Sequence, residues 1–95
     1  MNQMRDFTQE ELMAFHPGSY IIDVLDELNM TIVSFAEYMG MEIIDAKKLL
    51  YGMKPLNKTQ AKKVAELSGG TSTELWLGLQ SAYDEAIKFN LQNRG

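Results

Sequence analysis

Apolar residues recur at helical spacing through most of this chain, and nowhere do they alternate as in a half-buried strand. Phe35, Ala36 and Met39 make one apolar stripe, and Ala46, Leu49 and Leu50 make a second. Gly40 and Met41 separate the two: Gly40 tolerates the positive φ of a tight corner, and Met41 plugs it. Ala36 is small where two helices joined by so short a turn must touch, and Gly52 ends the second helix. Residues 31–52 therefore carry the spacing of a helix-turn-helix, which an ordinary helical hairpin shares on spacing alone.

Similar signals place the remaining helices. Thr8 to Glu11 form a capping box, with Phe7 and Leu12 as its staple, which predicts a short leading helix to about Phe15. His16-Pro17-Gly18 is expected to break it, and the next helix to run from Ser19 to Leu28 with Tyr20, Ile21, Val24, Leu25 and Leu28 on one stripe. Asn29 suits a left-handed cap, and Thr31 suits the N-cap of the helix after it. Beyond the loop at Met53 to Leu56, Asn57 with Gln60 caps a helix whose apolar side is Ala61, Val64, Ala65 and Leu67. Gly69-Gly70 stops that helix, and Thr71 with Glu74 is expected to cap the last one. The last helix carries Leu75, Trp76, Leu79, Ala82, Tyr83, Ala86 and Ile87, a stripe wide enough to close the core and meet a partner. Trp76, Leu79, Tyr83 and Ile87 are the expected dimer or partner contacts. The fold expected is all-α, with five or six helices: an N-terminal extension with a short helix over residues 1–15, then a helix-turn-helix domain over 16–95 with a long C-terminal helix.

Composition narrows the function. Absence of cysteine removes disulfides and thiolate metal sites, and a single histidine, His16, argues against zinc. No nucleophile–base constellation, phosphate-cradling glycine loop or metal-ligand spacing occurs, so neither an enzyme nor a cofactor is expected. No apolar run reaches the roughly 18 residues of a membrane span and no signal peptide opens the chain, which predicts a cytoplasmic protein away from membranes. The net charge of −4 disfavours nucleic acid on average, but the average hides a segregation. Lys47, Lys48, Lys54, Lys58, Lys62 and Lys63 lie between Ala46 and Ala65, where no acid occurs, while all 13 acids lie elsewhere.

The chain from His16 to Ile87 resembles the HigA-type antitoxins, the plasmid-maintenance antidote branch of the Xre-like, λ-repressor-like helix-turn-helix proteins. His16-Pro17-Gly18 matches the family's opening HPG, and Thr31, Ala36 and Gly40 match its helix-turn-helix positions. Tyr51-Gly52-Met53-Lys54 resembles its N-G-K-R loop. The run from Thr71 to Asp84, TSTELWLGLQSAYD, follows the family pattern T-S-P-E-F-W-L-N-L-Q-x-x-Y-D almost position for position. The resemblance implies a five-helix DNA-binding domain, usually homodimeric, that neutralises a toxin, often a small RNA-cleaving enzyme. It also implies repression of the protein's own operon through operator DNA.

The departures from the family fall on one surface. The first helix of the motif opens Ile32-Val33 after Thr31, and the second opens Glu42-Ile43-Ile44-Asp45, where the family favours polar and arginine residues. Guanine-reading arginines are missing, and Glu42 and Asp45 would repel phosphates. Three readings stay open. Ile43 and Ile44 touch thymine methyls and Glu42 accepts from cytosine, while Lys47, Lys48, Lys54 and Lys58 hold the DNA backbone. Alternatively, the face has become a protein-binding patch, in a domain acting mainly by protein contact. Or the aliphatics pack back into the domain. A stand-alone regulator of a phage or mobile element, with no toxin, is a further functional class.

Overall fold

The computed structural model describes residues 15–94, and five helices lie among them: α1 Pro17–Leu28, α2 Ile32–Met39, α3 Ile43–Leu50, α4 Lys58–Ser68 and α5 Thr73–Arg94. The capping box at Thr8 to Glu11 and the short helix expected after it lie outside the described residues.

His16-Pro17-Gly18 begins a helix rather than separating two. Pro17 occupies the first helical position, where its fixed φ suits the helix and its missing N–H is no loss. His16 is the N-cap, its Nδ1 accepting from the Gly18 N–H at 2.9 Å. α1 therefore starts two residues before the expected Ser19. It ends at Asn29, whose φ of 54° lets the Met30 N–H reach Leu25 O at 2.9 Å. Thr31 caps α2 by accepting from the Ser34 N–H at 3.1 Å. Gly40, at φ 70°, turns the corner so that the Met41 N–H reaches Ala36 O at 2.9 Å. Asn57 and Gln60 complete a reciprocal capping box on α4.

The start of α5 differs from expectation. Ser72, not Thr71, caps it, taking the Leu75 N–H at 3.0 Å. The Thr71 hydroxyl is committed elsewhere, accepting from the Trp76 indole N–H at 2.8 Å and bonding the Ser68 hydroxyl. A buried indole must place its one donor, and Thr71 is the acceptor within reach.

All four short helices contribute their expected faces to one core: Ile21 and Leu25, then Phe35, Ala36 and Met39, then Ala46, Leu49 and Leu50, then Ala61, Val64 and Ala65. Leu56 and Trp76 close it. Trp76, expected at a dimer or partner surface, is 3% exposed and belongs to this core. Its bulk fills the space between α5 and the short helices, and its one polar atom is satisfied internally. Leu79 also packs on the core, Tyr83 is half-buried, and Ile87 stays exposed. At the two ends of the α1 stripe, Tyr20 and Leu28 lie outside the core.

The start of α1 lies close against the end of α3. A Cβ on Gly18 would stand 2.4 Å from both Leu49 O and Leu50 O, so only glycine fits. Gly18→Ala should destabilise the domain by about 2 kcal/mol or more, because backbone rather than a flexible side chain must yield. Gly70→Ala, with nothing within 4 Å of the added Cβ, should leave urea unfolding almost unchanged.

His16 adds a pH dependence. It is buried, its ring meets Tyr83 edge-on at 5.0 Å between centroids, and its Nε2 has no hydrogen-bond partner. Burial lowers its pKa below the usual 6.5, against the opposing pull of the Lys54 backbone and the Asp84 carboxylate. The native state then binds fewer protons than the unfolded chain, so the contribution of His16 is fully present above 6.5 and is lost as pH falls below it. Urea titrations from about pH 7 to about pH 5 should show a steeper loss of stability in the wild type than in His16→Asn, which keeps an acceptor but does not titrate.

Candidate nucleic-acid interface

α3 is held from its buried end. Ala46, Leu49 and Leu50 anchor it in the core, and the α1 start presses on its last carbonyls. Gly52, at φ 78°, lets the chain leave α3 directly against His16, whose Cβ would lie 3.4 Å from any Cβ added there. The loop that follows is tied to α5 by a side chain the periodicity did not single out. Gln80 is buried, takes the Leu56 N–H at 2.8 Å, and donates to Asp84 Oδ1 at 2.9 Å. α2 is fastened to α4 by a reciprocal pair. Tyr38 Oη donates to Lys63 O at 2.8 Å, and Lys63 Nζ donates to Tyr38 O at 3.4 Å. Burial, and then the Glu66 carboxylate, hold the Tyr38 hydroxyl above its ordinary pKa. Lys63 thus belongs to the scaffold and caps the negative end of α2.

With the inner faces fixed, the outer face of α3 follows from the helical repeat. Ile43, Ile44, Lys47, Lys48 and Tyr51 form one exposed stripe, mixed apolar and basic. Val33 is 55% exposed, Ile43 43% and Ile44 58%, whereas Ile32 is half-buried against the core. Three of the four aliphatics at the starts of the motif helices therefore face solvent, and one packs inward. Thr31 is spent on its cap, with its hydroxyl also donating to Ser34 Oγ at 3.2 Å.

The charges around this face are not equivalent. Asp45 pairs with Lys54 at 3.5 Å across the α3–α4 connection, so the acid is offset locally and the lysine is partly engaged. A pair this exposed adds under about 1 kcal/mol to stability, but it turns the carboxylate away from acting alone. Glu42 is the exposed N-cap residue of α3, and its side chain makes no capping bond. Lys47 and Lys48 project from α3. Lys58 and Lys62 border a shallow depression of about 410 Å3 with Thr59, Thr73 and Glu74. A wider groove of about 720 Å3 runs between the α2–α3 corner and the start of α4, past Glu37, Gly40, Glu42, Asp45 and Gln60. Among the described residues no cluster of three or more His, Asp or Glu is placed to hold a metal ion, and no helix is long and apolar enough to cross a membrane.

Comparison with known proteins places this arrangement. No protein-family model matches the chain. The HTH-type transcriptional regulator YddM of Escherichia coli is 38% identical over 76 residues, covering 78% of this chain and 80% of the relative. Two solved structures share the fold across nearly its whole length. A plasmid-maintenance antidote protein from Nostoc punctiforme superposes with a TM-score of 0.71 at 28% identity, over 87% of this chain and 88% of that one. A HigA-family addiction-module antidote from Coxiella burnetii gives 0.77 at 25% identity, over 87% and 90%. Both likenesses span helices on either side of the helix-turn-helix as well as the motif itself. The chain belongs to the HTH-type transcriptional regulators, in the branch of the HigA-type plasmid-maintenance antidotes.

Proposed function

We propose that this protein is an antitoxin that neutralises a partner toxin and represses its own operon by binding operator DNA through α2 and α3. The observation that carries the reading is the likeness of the fold, over 87% of the chain, to two antidote proteins. The relative named as an HTH-type regulator supports the transcriptional half. In this reading α3 enters the major groove with Glu42, Ile43 and Ile44 towards the bases. Thr31 and Val33 open α2 alongside it. Lys47, Lys48 and Lys58 meet phosphates, with Lys54 shared between Asp45 and the DNA. Asp45, held by Lys54, has a positioning role. The protein acts in the cytoplasm, without catalysis, as a homodimer matched to a palindromic operator. The exposed Leu75, Ile87 and Leu91 of α5 supply apolar surface for the second copy or for a small RNA-cleaving toxin.

A second reading rests on the exposed Val33, Ile43 and Ile44, which also suit a protein partner if the motif has left DNA. The two readings separate in one pair of experiments. A gel shift on the gene's own upstream region should show a sequence-specific complex. Co-expression with an adjacent toxin gene should restore growth that the toxin alone arrests. Specific DNA binding with no toxin neighbour would make the protein a stand-alone regulator; growth rescue without DNA binding would make it a protein-contact antitoxin.

The lysines provide a quantitative check. Lys47→Ala with Lys48→Ala should flatten the dependence of log affinity on log salt by about 0.9 for each phosphate contact removed. Lys63→Ala should leave that slope unchanged while lowering stability, because Lys63 is bound to Tyr38 O. Equal slopes in the first variant and the wild type would remove Lys47 and Lys48 from the interface.

A further inference from the structure

We propose that α3 and the first turn of α2 read thymine C5-methyl groups, so that operator specificity rests on apolar contact with thymine rather than on arginine–guanine pairing. This builds on the operator-binding reading and assigns its specificity to Ile44, Ile43 and Val33. Four observations carry it. All three side chains are exposed, although the same two helices bury Phe35, Ala36, Met39, Ala46, Leu49 and Leu50. They are therefore not core residues left over by a small domain. Ile32, next to Val33, does pack on the core, so the neighbouring site shows what an aliphatic with a folding role looks like.

The second observation is what the face lacks. The chain has two arginines, Arg5 and Arg94, and both lie outside the motif at 31–52. The planar arginine fork that pairs with guanine O6 and N7 is thus missing from α2 and α3, and the lysines of α3 begin a turn beyond Ile43 and Ile44. In the major groove the one apolar label on a base is the thymine methyl, and branched aliphatics are its natural partners.

Charge complementarity identifies DNA as the occupant. Lys47 and Lys48 follow Ile44 by three and four residues on the same exposed stripe, where a helix lying in the groove meets phosphates. Finally, the acids leave room for this geometry. Asp45 is turned to Lys54 at 3.5 Å. Glu42, free of capping duty at the helix start, faces the bases, where a carboxylate accepts from the cytosine amino group.

The test is a comparison of two DNA fragments. The gene's own upstream region is amplified once with dTTP and once with dUTP and deoxyuridine-containing primers, which deletes every thymine methyl while preserving base pairing. Binding is measured at one fixed salt concentration for wild type, Ile43→Ala and Ile44→Ala, with melting temperatures recorded for each. The wild type should bind the uracil fragment more weakly, by about fourfold for each methyl contacted, the worth of one buried carbon. Ile44→Ala should melt close to wild type, because the side chain is exposed, and its sensitivity to the methyls should be smaller than the wild type's by about fourfold for each methyl that Ile44 contacts. Equal wild-type affinity for the two fragments overturns the inference while leaving operator binding intact. Equal sensitivity in wild type and both variants also overturns it, since the methyls would then act through DNA shape. Failure of the wild type to bind either fragment overturns the operator reading itself, and a protein would then be the occupant of this face.

Discussion

The first turn of α1 lies directly on the last carbonyls of α3. The α1 N–H groups at this point are already used, Gly18 donating to His16 Nδ1 and Ser19 to His16 O, so what meets here is bare backbone against backbone. That contact exists only because residue 18 is glycine, since a Cβ would stand 2.4 Å from the Leu49 and Leu50 oxygens. His16 closes the same junction on both sides, capping α1 through Nδ1 and packing against Gly52 as the chain leaves α3. The short HPG sequence therefore sets the angle at which α3 leaves the body, and everything on the outer face of α3 inherits its orientation from there.

Holding a helix by one end has a functional consequence. The C-terminal half of α3 is committed to the fold, but Glu42, Ile43 and Ile44 at the other end have no folding task. Those positions can change identity with little effect on stability, since exposed sites rarely cost more than about 0.5 kcal/mol. Specificity can then diverge on a fixed scaffold. Here the residues at that end are branched aliphatics, whose exposure opposes solubility and is recovered only when something covers them. In the proposed reading, a groove that offers thymine methyls, flanked by phosphates within reach of Lys47 and Lys48, would cover them and match the local charge.

The helices were legible in the sequence because each is specified locally. Thr31, Asn57 with Gln60, Asn29 and Gly40 mark ends through bonds spanning five residues or fewer, and the core faces follow from a 3.6-residue period. The sequence left open whether Ile32, Val33, Ile43 and Ile44 pack inward, and the fold divides them: Ile32 meets the core while the other three face solvent. What escaped was the polar bonding between distant segments. Gln80 reads as a polar interruption of the α5 stripe, yet it satisfies Leu56, 24 residues away. Lys63 reads as one member of a lysine cluster, yet its carbonyl takes the hydroxyl of Tyr38, 25 residues away. Thr71 carries a good capping signature but is claimed by the Trp76 indole, a demand visible only once Trp76 is known to be buried. Lys54 likewise looks equivalent to its neighbouring lysines until the fold brings Asp45 beside it.

In the proposed function, α3 and the start of α2 form the DNA surface of this regulator. Methyl-resolved NMR of the Ile- and Val-labelled protein, titrated with a duplex from its own upstream region, tests it most directly. The Ile43, Ile44 and Val33 methyls should shift strongly, while Ile21 and Val64, fully buried in the core, stay in place. Shifts confined to Ile87 on α5, or none at any ratio of DNA, would contradict the account.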